Sequence, residues 1–410
     1  MAAPSGSGSS NPSPAAPKIL LAKPGSVPAG STVAKFIRGG TGGDDESLAL
    51  RSRLPPPGSL NLLSDSWEFH IDRILPFMTE NTDFTVIGVI GPPGVGKSTI
   101  LNELYGFDGT SPGMLPPFVT ESEEIRAMAR HCTTGIELRI SAERLILLDT
   151  QPIFSPSVLA EMTRPDGSST ISVVSGEVLS ADLAHEIMSI QLGVFLTSIC
   201  HVLLVISEGV HDINMWHLML TVDLLKHGIP DPSSLASSYS QGSNLGPEKE
   251  NKETWQEAGE EYLAFPVFVH TKVQDQHLSP PNIVRLRKAL SRYFNQSSFM
   301  GTKYGYQNNK QAHSFGCPDM IDDSGSTGMD LILIPSKFQD EHQRSQYESY
   351  TSMLGKLRDQ VLSMKCQPFA KNVSEREWLR NSSKIWEIVK NSQVIAEYTR
   401  TLQNSGMFRR

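Results

Sequence analysis

The sequence predicts an α/β fold, a mostly parallel sheet with helices on both faces, preceded by a disordered N-terminal stretch and followed by C-terminal helices. Three observations predict it. Short, almost wholly apolar runs alternate with helical patterns between residues 84 and 334, as strands covered on both faces and joined by crossover helices require. The first of these runs passes directly into a glycine-rich turn and then into a helical pattern. The chain is 39% hydrophobic over 410 residues, enough for a core of domain size.

Taken in order, residues 1–60 are dominated by Ser, Pro, Gly and Ala, with short apolar islands at Ile19-Leu20-Leu21 and Val33-Ala34-Lys35-Phe36-Ile37. Such a composition cannot bury enough surface to offset backbone entropy, so this region is expected to be disordered when alone. Order is expected to begin near Trp67, where Trp67, Ile71, Ile74, Leu75 and Met78 recur at helical spacing and Pro76 limits the helix. Strands are expected at 84–90, 136–140, 145–148, 202–206, 265–269 and 331–334, and helices at 99–106, 182–199, 213–227 and 281–294. Stretches 154–180, 231–260 and 295–328 interrupt the alternation and are rich in Ser, Gly, Pro or Asn. Ordered loops of that length are uncommon, so they read as insertions, the last two equally as partner-binding arms. After the last strand, 338–364 and 374–403 read as two helices broken at Pro368. The second carries an apolar stripe of Trp378, Leu379, Ile385, Trp386, Ile388, Val389 and Tyr398, which predicts packing back on the domain. The expected organisation is therefore 1–60 disordered, 61–337 the α/β domain, and 338–410 C-terminal helices packed on it.

Charge and composition exclude several classes. A net charge of −8 argues against direct nucleic-acid binding, which draws on clustered Lys and Arg. Cys132, Cys200, Cys317 and Cys366 are far apart and form neither a zinc-ligand pattern nor a disulfide framework. No run approaches the ~18 apolar residues of a membrane span, and the N-terminus lacks a basic stretch followed by an apolar one. A cytoplasmic protein is expected.

The chemistry is concentrated after the first strand. Gly91, Pro92, Pro93, Gly94, Val95, Gly96, Lys97 and Ser98 satisfy G-x-x-x-x-G-K-[ST], and Thr99 continues into the helix. This is the P-loop of nucleoside triphosphatases. Its glycines let backbone N–H groups turn toward phosphates, and the helix N-terminus adds its dipole. Lys97 reaches the β- and γ-phosphates, and Ser98 can ligate Mg²⁺. Further on, His131-Cys132-Thr133-Thr134-Gly135-Ile136 precedes the second strand and Leu145-Ile146-Leu147-Leu148-Asp149-Thr150-Gln151-Pro152 ends the third.

Thr-Thr-Gly-Ile followed by an apolar strand ending in Asp-Thr-Gln resembles the switch regions of the atlastin and guanylate-binding branch of dynamin-like GTPases. The resemblance implies a G-domain-like fold. It makes Thr133, or Thr134 in its place, a Mg²⁺ ligand, and gives Asp149 the metal through water. Three departures stand beside it: Pro152 replaces a glycine, Gly94 stands where the family has its catalytic arginine, and the base-reading motif is altered. Small GTPases read guanine with [N/T]-K-x-D after a strand, matched here by Thr271-Lys272-Val273-Gln274, with an amide in place of the carboxylate unless Asp275 takes its role. Ser336-Lys337 offers a second base loop. The expected ligand is therefore ATP/ADP or GTP/GDP with Mg²⁺, and no catalytic residue is assigned.

From about residue 60 onward, Trp67-Glu68-Phe69-His70, the Gly-Pro-Pro-Gly-Val-Gly-Lys-Ser cradle and Leu-Leu-Asp-Thr-Gln-Pro also resemble the SMG factors of nonsense-mediated mRNA decay. That resemblance implies a regulatory subunit that pairs, as a heterodimer, with a related G-domain-like protein, the eighth SMG factor. It also implies binding to the phosphatidylinositol-3-kinase-like kinase of the pathway. By the dynamin-like resemblance the paired face involves segments 125–135 and 150–180. The alternative is an active GTPase or ATPase whose hydrolysis drives a conformational cycle.

Overall fold

In the computed structural model the described residues are 60–406, apart from 108–114, 129, 164–178, 211, 236–261, 301–328, 338–346, 365–366 and 370. The expected disorder of 1–60 lies almost wholly outside them. All belong to the compact unit that runs from Pro55 to Arg410. The strands are β1 (Asn61–Leu63), β2 (Thr85–Ile90), β3 (Ile136–Ile140), β4 (Leu145–Thr150), β5 (Val202–Glu208), β6 (Phe265–Val273) and β7 (Asp330–Pro335). They form one sheet in the order β1-β3-β4-β2-β5-β6-β7. Pairings β4-β2, β2-β5, β5-β6 and β6-β7 are parallel, whereas β3 runs antiparallel to both β4 and β1. The predicted mostly parallel sheet is present, with one antiparallel edge.

Helices cover both faces, as the continuous apolar runs of β2, β4 and β5 require. On one face pack α5 (Ala181–Ile199), α6 (Ile213–Leu225) and α7 (Pro280–Tyr293), with the C-terminal α9 (Glu375–Lys390) and α10 (Gln393–Ser405). On the other lie α2 (Lys97–Tyr105) and α8 (Tyr350–Ser363). The alternation of faces is visible within β2: Val86 and Ile90 enter the first cluster, Ile87 and Val89 the second. Among the described residues no helix is long and apolar enough to cross a membrane.

Four expectations are corrected. The helix expected from Trp67 is only α1 (Ile71–Ile74), continued by a 3₁₀ turn at Leu75–Phe77 that holds Pro76. Trp67 itself adopts φ +60°, outside any helix, and stacks on Trp386 at a centroid distance of 5.4 Å. Its helical spacing reflects burial rather than helix. The stretch 154–180 is not all loop, since α4 (Pro156–Met162) opens with Pro in its first turn; 164–178 lie outside the described residues. Of the helix expected over 338–364, 338–346 lie outside the described residues and 347–349 are not helical; α8 starts at Tyr350, where Ser349 caps it by accepting from the Ser352 N–H. Lastly, 374–403 is two helices, as Ser392 caps a new one by accepting from the Ile395 N–H. The short α3 (Glu123–Ala127) and the strand β1 were not anticipated.

The C-terminal stripe packs against the core of the α/β domain, with Ile388 and Tyr398 only partly buried and the rest buried. Trp378 Nε1–H donates to Ile199 O at 2.9 Å and Trp386 Nε1–H to Trp67 O at 3.0 Å. Glu375 is fully buried, yet its carboxylate accepts from the Thr79 N–H and hydroxyl, both at 2.8 Å, and from Arg144 at 3.2 Å. A buried carboxylate so fully partnered fixes where α9 meets the sheet.

Candidate nucleotide-binding site

Strand β2 ends at Ile90 and α2 opens at Lys97, so residues 91–96 form the turn between them. Gly94 and Gly96 take φ values of +70° and +93°, a region that favours glycine and curls successive N–H groups inward. Gly96 is the N-cap of α2 and no side chain caps that end, which leaves the helix's N–H groups and positive dipole facing the turn. The Lys97 ammonium, only 7% exposed, donates to Gly91 O at 3.0 Å and Pro92 O at 2.9 Å. Burial lowers its pKa to about 8 against the pull of Asp149 and Glu121.

Within the first turn of α2, the Ser98 hydroxyl donates to Asp149 Oδ2 at 2.7 Å, and the Thr133 hydroxyl donates to the same oxygen at 2.9 Å. Thr133 is buried beside the carboxylate while Thr134 is half-buried, so of the two threonines it is Thr133 that meets Asp149. Asp149, fully buried at the end of β4, also accepts from the Thr150 N–H at 3.0 Å. Burial pushes its carboxyl above the ordinary range, opposed by Lys97 and by these hydrogen bonds. Two hydroxyls and one carboxylate gathered beside a buried ammonium are the hard oxygen donors that Mg²⁺ takes, so the residues present fit that ion. No cluster of three His, Cys, Asp or Glu that could hold a metal occurs among the described residues.

The segment after β4 is tied at both ends. The Gln151 N–H donates to Gly135 O at 2.8 Å, its side-chain oxygen accepts from the Gly135 N–H at 3.1 Å, and the Ile153 N–H donates to Gly91 O at 3.2 Å. Pro152, between them, has no N–H to offer.

On the other side of the loop, Gly94, Val95, Gly96 and Thr99 line a cleft of about 190 Å³ with Thr271 and Lys272. Lys337, Tyr350 and Leu354 complete its edge with one charged, one aromatic and one aliphatic side chain. The two base-side segments that the sequence suggested therefore meet here. Gln274 does not line the cleft: it is exposed, and its side-chain oxygen accepts from Gln276 at 2.8 Å. Asp275 is likewise outside the lining and opens a 3₁₀ turn, Asp275–His277.

Sequence reasoning missed two residues at this site. Tyr350 was read only as part of a packing helix. Glu121 places a carboxylate oxygen 3.4 Å from where a Cβ on Gly94 would stand, and acts electrostatically on Lys97 and Cys132. A carboxylate thus borders the position at which the dynamin-like family carries its arginine. No sequence signal marks Glu121, which lies in an irregular segment.

A P-loop joined to this strand order defines the class: a nucleoside-triphosphatase fold of the G-domain-like kind. Among individual proteins, those named Nonsense-mediated mRNA decay factor SMG9 are homologues, the ninth of the SMG factors to which the sequence resemblance pointed. The Xenopus laevis protein is 27% identical over 386 residues, covering 88% of this chain and 71% of its own length. That of Salmo salar is 28% identical over 376 residues, covering 85% and 69%. That of Caenorhabditis briggsae is 32% identical over 204 residues, half of each chain. No family model matches the chain. Among solved structures, a septin GTPase domain from Chlamydomonas reinhardtii overlaps 78% of this chain and 98% of its own, at 10% identity and a TM-score of 0.30. A bacterial selenocysteine-specific elongation factor, EF-Sec, overlaps 68% of this chain and 28% of its own, at 9% identity and a TM-score of 0.29. The fold class rests on strand order and loop geometry, not on these overlaps.

Proposed function

We propose that this chain binds a purine nucleotide with Mg²⁺ as a lasting structural ligand and acts in nonsense-mediated mRNA decay as a regulatory subunit that does not turn the nucleotide over. The convergence of Ser98 and Thr133 on Asp149, beside the buried Lys97, carries the binding half of this reading. The mRNA-decay half is supported by the name of the homologues. By the same resemblance the chain pairs with the eighth SMG factor and binds the phosphatidylinositol-3-kinase-like kinase of the pathway, in the cytoplasm.

Weak turnover is supported by Gly94, since an arginine finger is worth ~10³ to 10⁵ in rate. A partner at the nucleotide face is supported by Leu115, Val119 and Met128, which are 84%, 58% and 63% exposed in the stretch that carries Glu121. In size measurements the isolated chain should run without forming a tight homodimer; a stable homodimer would contradict the heterodimer.

The test of binding is mass identification of the nucleotide released from the purified chain, with turnover assayed on the same sample. Stoichiometric nucleotide with negligible hydrolysis is expected. An empty site, or steady release of phosphate, would overturn the reading.

A pH dependence follows from Lys97. Its pKa is about 8 before the ligand binds, and nearby phosphates can only raise it. The bound form therefore holds the proton more tightly, so this contribution is complete below the free-state value and fades as pH rises through it. Nucleotide affinity should be steady near pH 7 and fall above about pH 8, by up to roughly tenfold per unit. A flat titration from pH 7 to 9.5 would exclude Lys97 as the phosphate ligand.

A further inference from the structure

The cleft beside the cradle is closed by a residue that belongs to none of the nucleotide-binding motifs. Sites that enclose drug-sized ligands run to about 300–1,000 Å³. At about 190 Å³ this one is sized for the base end of a nucleotide, with the phosphates outside it on the loop. Its polar groups are largely committed. The Thr271 hydroxyl is spent on Val95 O at 2.8 Å and Ser207 O at 3.2 Å, and the Lys272 ammonium pairs with Glu208 at 2.8 Å. None of the described lining residues carries a carboxylate, the group that would pair with guanine's two N–H donors.

What the cleft does offer is an aromatic ring. Tyr350 stands in the first turn of α8, whose start is fixed by the Ser349 cap, and its half-buried ring packs at the margin of the core cluster that also holds Leu354 and Val95. Burial raises the phenol above its ordinary value, with Glu103 adding to the shift, so the ring stays neutral. A neutral aromatic surface beside committed polar groups suits a flat purine and is indifferent to the pattern on its edge.

We infer that Tyr350 is the residue that holds the nucleotide base, by stacking, and that the cleft therefore accepts adenine and guanine alike. This deepens the nucleotide-binding reading and rests on it. The C-terminal helix α8 then contributes to the ligand site as well as to the core.

The experiment is a titration of the full chain and of Tyr350→Leu and Tyr350→Phe with three probes: ATP, GTP and inorganic tripolyphosphate, all with Mg²⁺. Tripolyphosphate occupies the cradle alone and reports on it independently of the base. Tyr350→Leu should weaken ATP and GTP by similar factors, roughly tenfold or more, and leave tripolyphosphate unchanged, while Tyr350→Phe stays near wild type. Wild-type affinity for ATP and GTP in Tyr350→Leu would overturn the inference and leave nucleotide binding standing. Equal loss of all three probes would also overturn it, assigning Tyr350 to the fold of the cradle. A wild-type chain that binds none of the three would remove both readings together.

Discussion

A chain carrying Lys97→Ala is expected to purify without nucleotide and to lose the thermal stabilisation that nucleotide gives the wild type. The ammonium is held over the loop by the carbonyls of Gly91 and Pro92 and is the charge that meets the phosphates. A ligand present at ~100 times its Kd contributes roughly 2.7 kcal/mol, all of which disappears when binding does. The ligand-free protein should behave differently. A lysine whose pKa is lowered by burial costs free energy in the empty fold, so its replacement does not destabilise that state. Wild type and Lys97→Ala stripped of nucleotide should therefore melt at similar temperatures, and should differ only when nucleotide is added, which raises the melting temperature of the wild type alone. Calorimetry of the four samples checks this. Destabilisation of the stripped variant would mean that Lys97 serves the fold and not the ligand.

The second large effect is expected at Gly135→Ala. Gly135 takes φ +61° immediately before β3, and a Cβ there would stand 2.2 Å from Leu63 O and 2.5 Å from Ser64 O. Both are backbone atoms and cannot rotate away. The same residue exchanges hydrogen bonds with Gln151, so relief of the clash must disturb β1, β3 or the segment after β4. A loss of about 3 kcal/mol, or roughly 6 °C in Tm, is expected. By contrast, a Cβ at Gly228 meets nothing within 4 Å although φ is +78°. Gly228→Ala therefore carries the backbone strain without the clash, and should lose less than half as much in the same denaturation series.

Most of the sheet was legible because its strands are buried on both faces and so read as unbroken apolar runs; β2, β4 and β5 needed no further signal. Strand β1 escaped because three residues, Asn61–Leu63, give no period, and their partner β3 lies more than seventy positions away. The helix at Trp67 was over-read for the opposite reason: Trp67, Ile74 and Met78 are spaced as a helix would space them because all three are core residues, though only four residues there are α-helical. At the site, Lys97 and Ser98 were explicit in the motif, and Asp149 in the run that ends β4. That Thr133, and not its neighbour, contacts Asp149 is visible only in the structure, at 2.9 Å. Tyr350 and Glu121 could not be read at all. Each reaches the loop through packing of a segment distant from it in sequence, and neither residue type signals a nucleotide.

In the proposed function the ligand is held but not sensed. In a switching GTPase the residue after Asp-Thr-Gln donates its N–H to the γ-phosphate, and loss of that phosphate releases the loop. Here Pro152 has no N–H, and the neighbouring Gln151 and Ile153 N–H groups are already bound to Gly135 and Gly91. A ligand shifts a conformational equilibrium only through contacts that differ between the two states. The most direct test is amide hydrogen exchange across residues 150–163 with Mg²⁺-diphosphate and with a non-hydrolysable Mg²⁺-triphosphate. Equal protection in the two is the result predicted here; protection that appears only with the triphosphate would contradict it and restore the hydrolysis-driven switch.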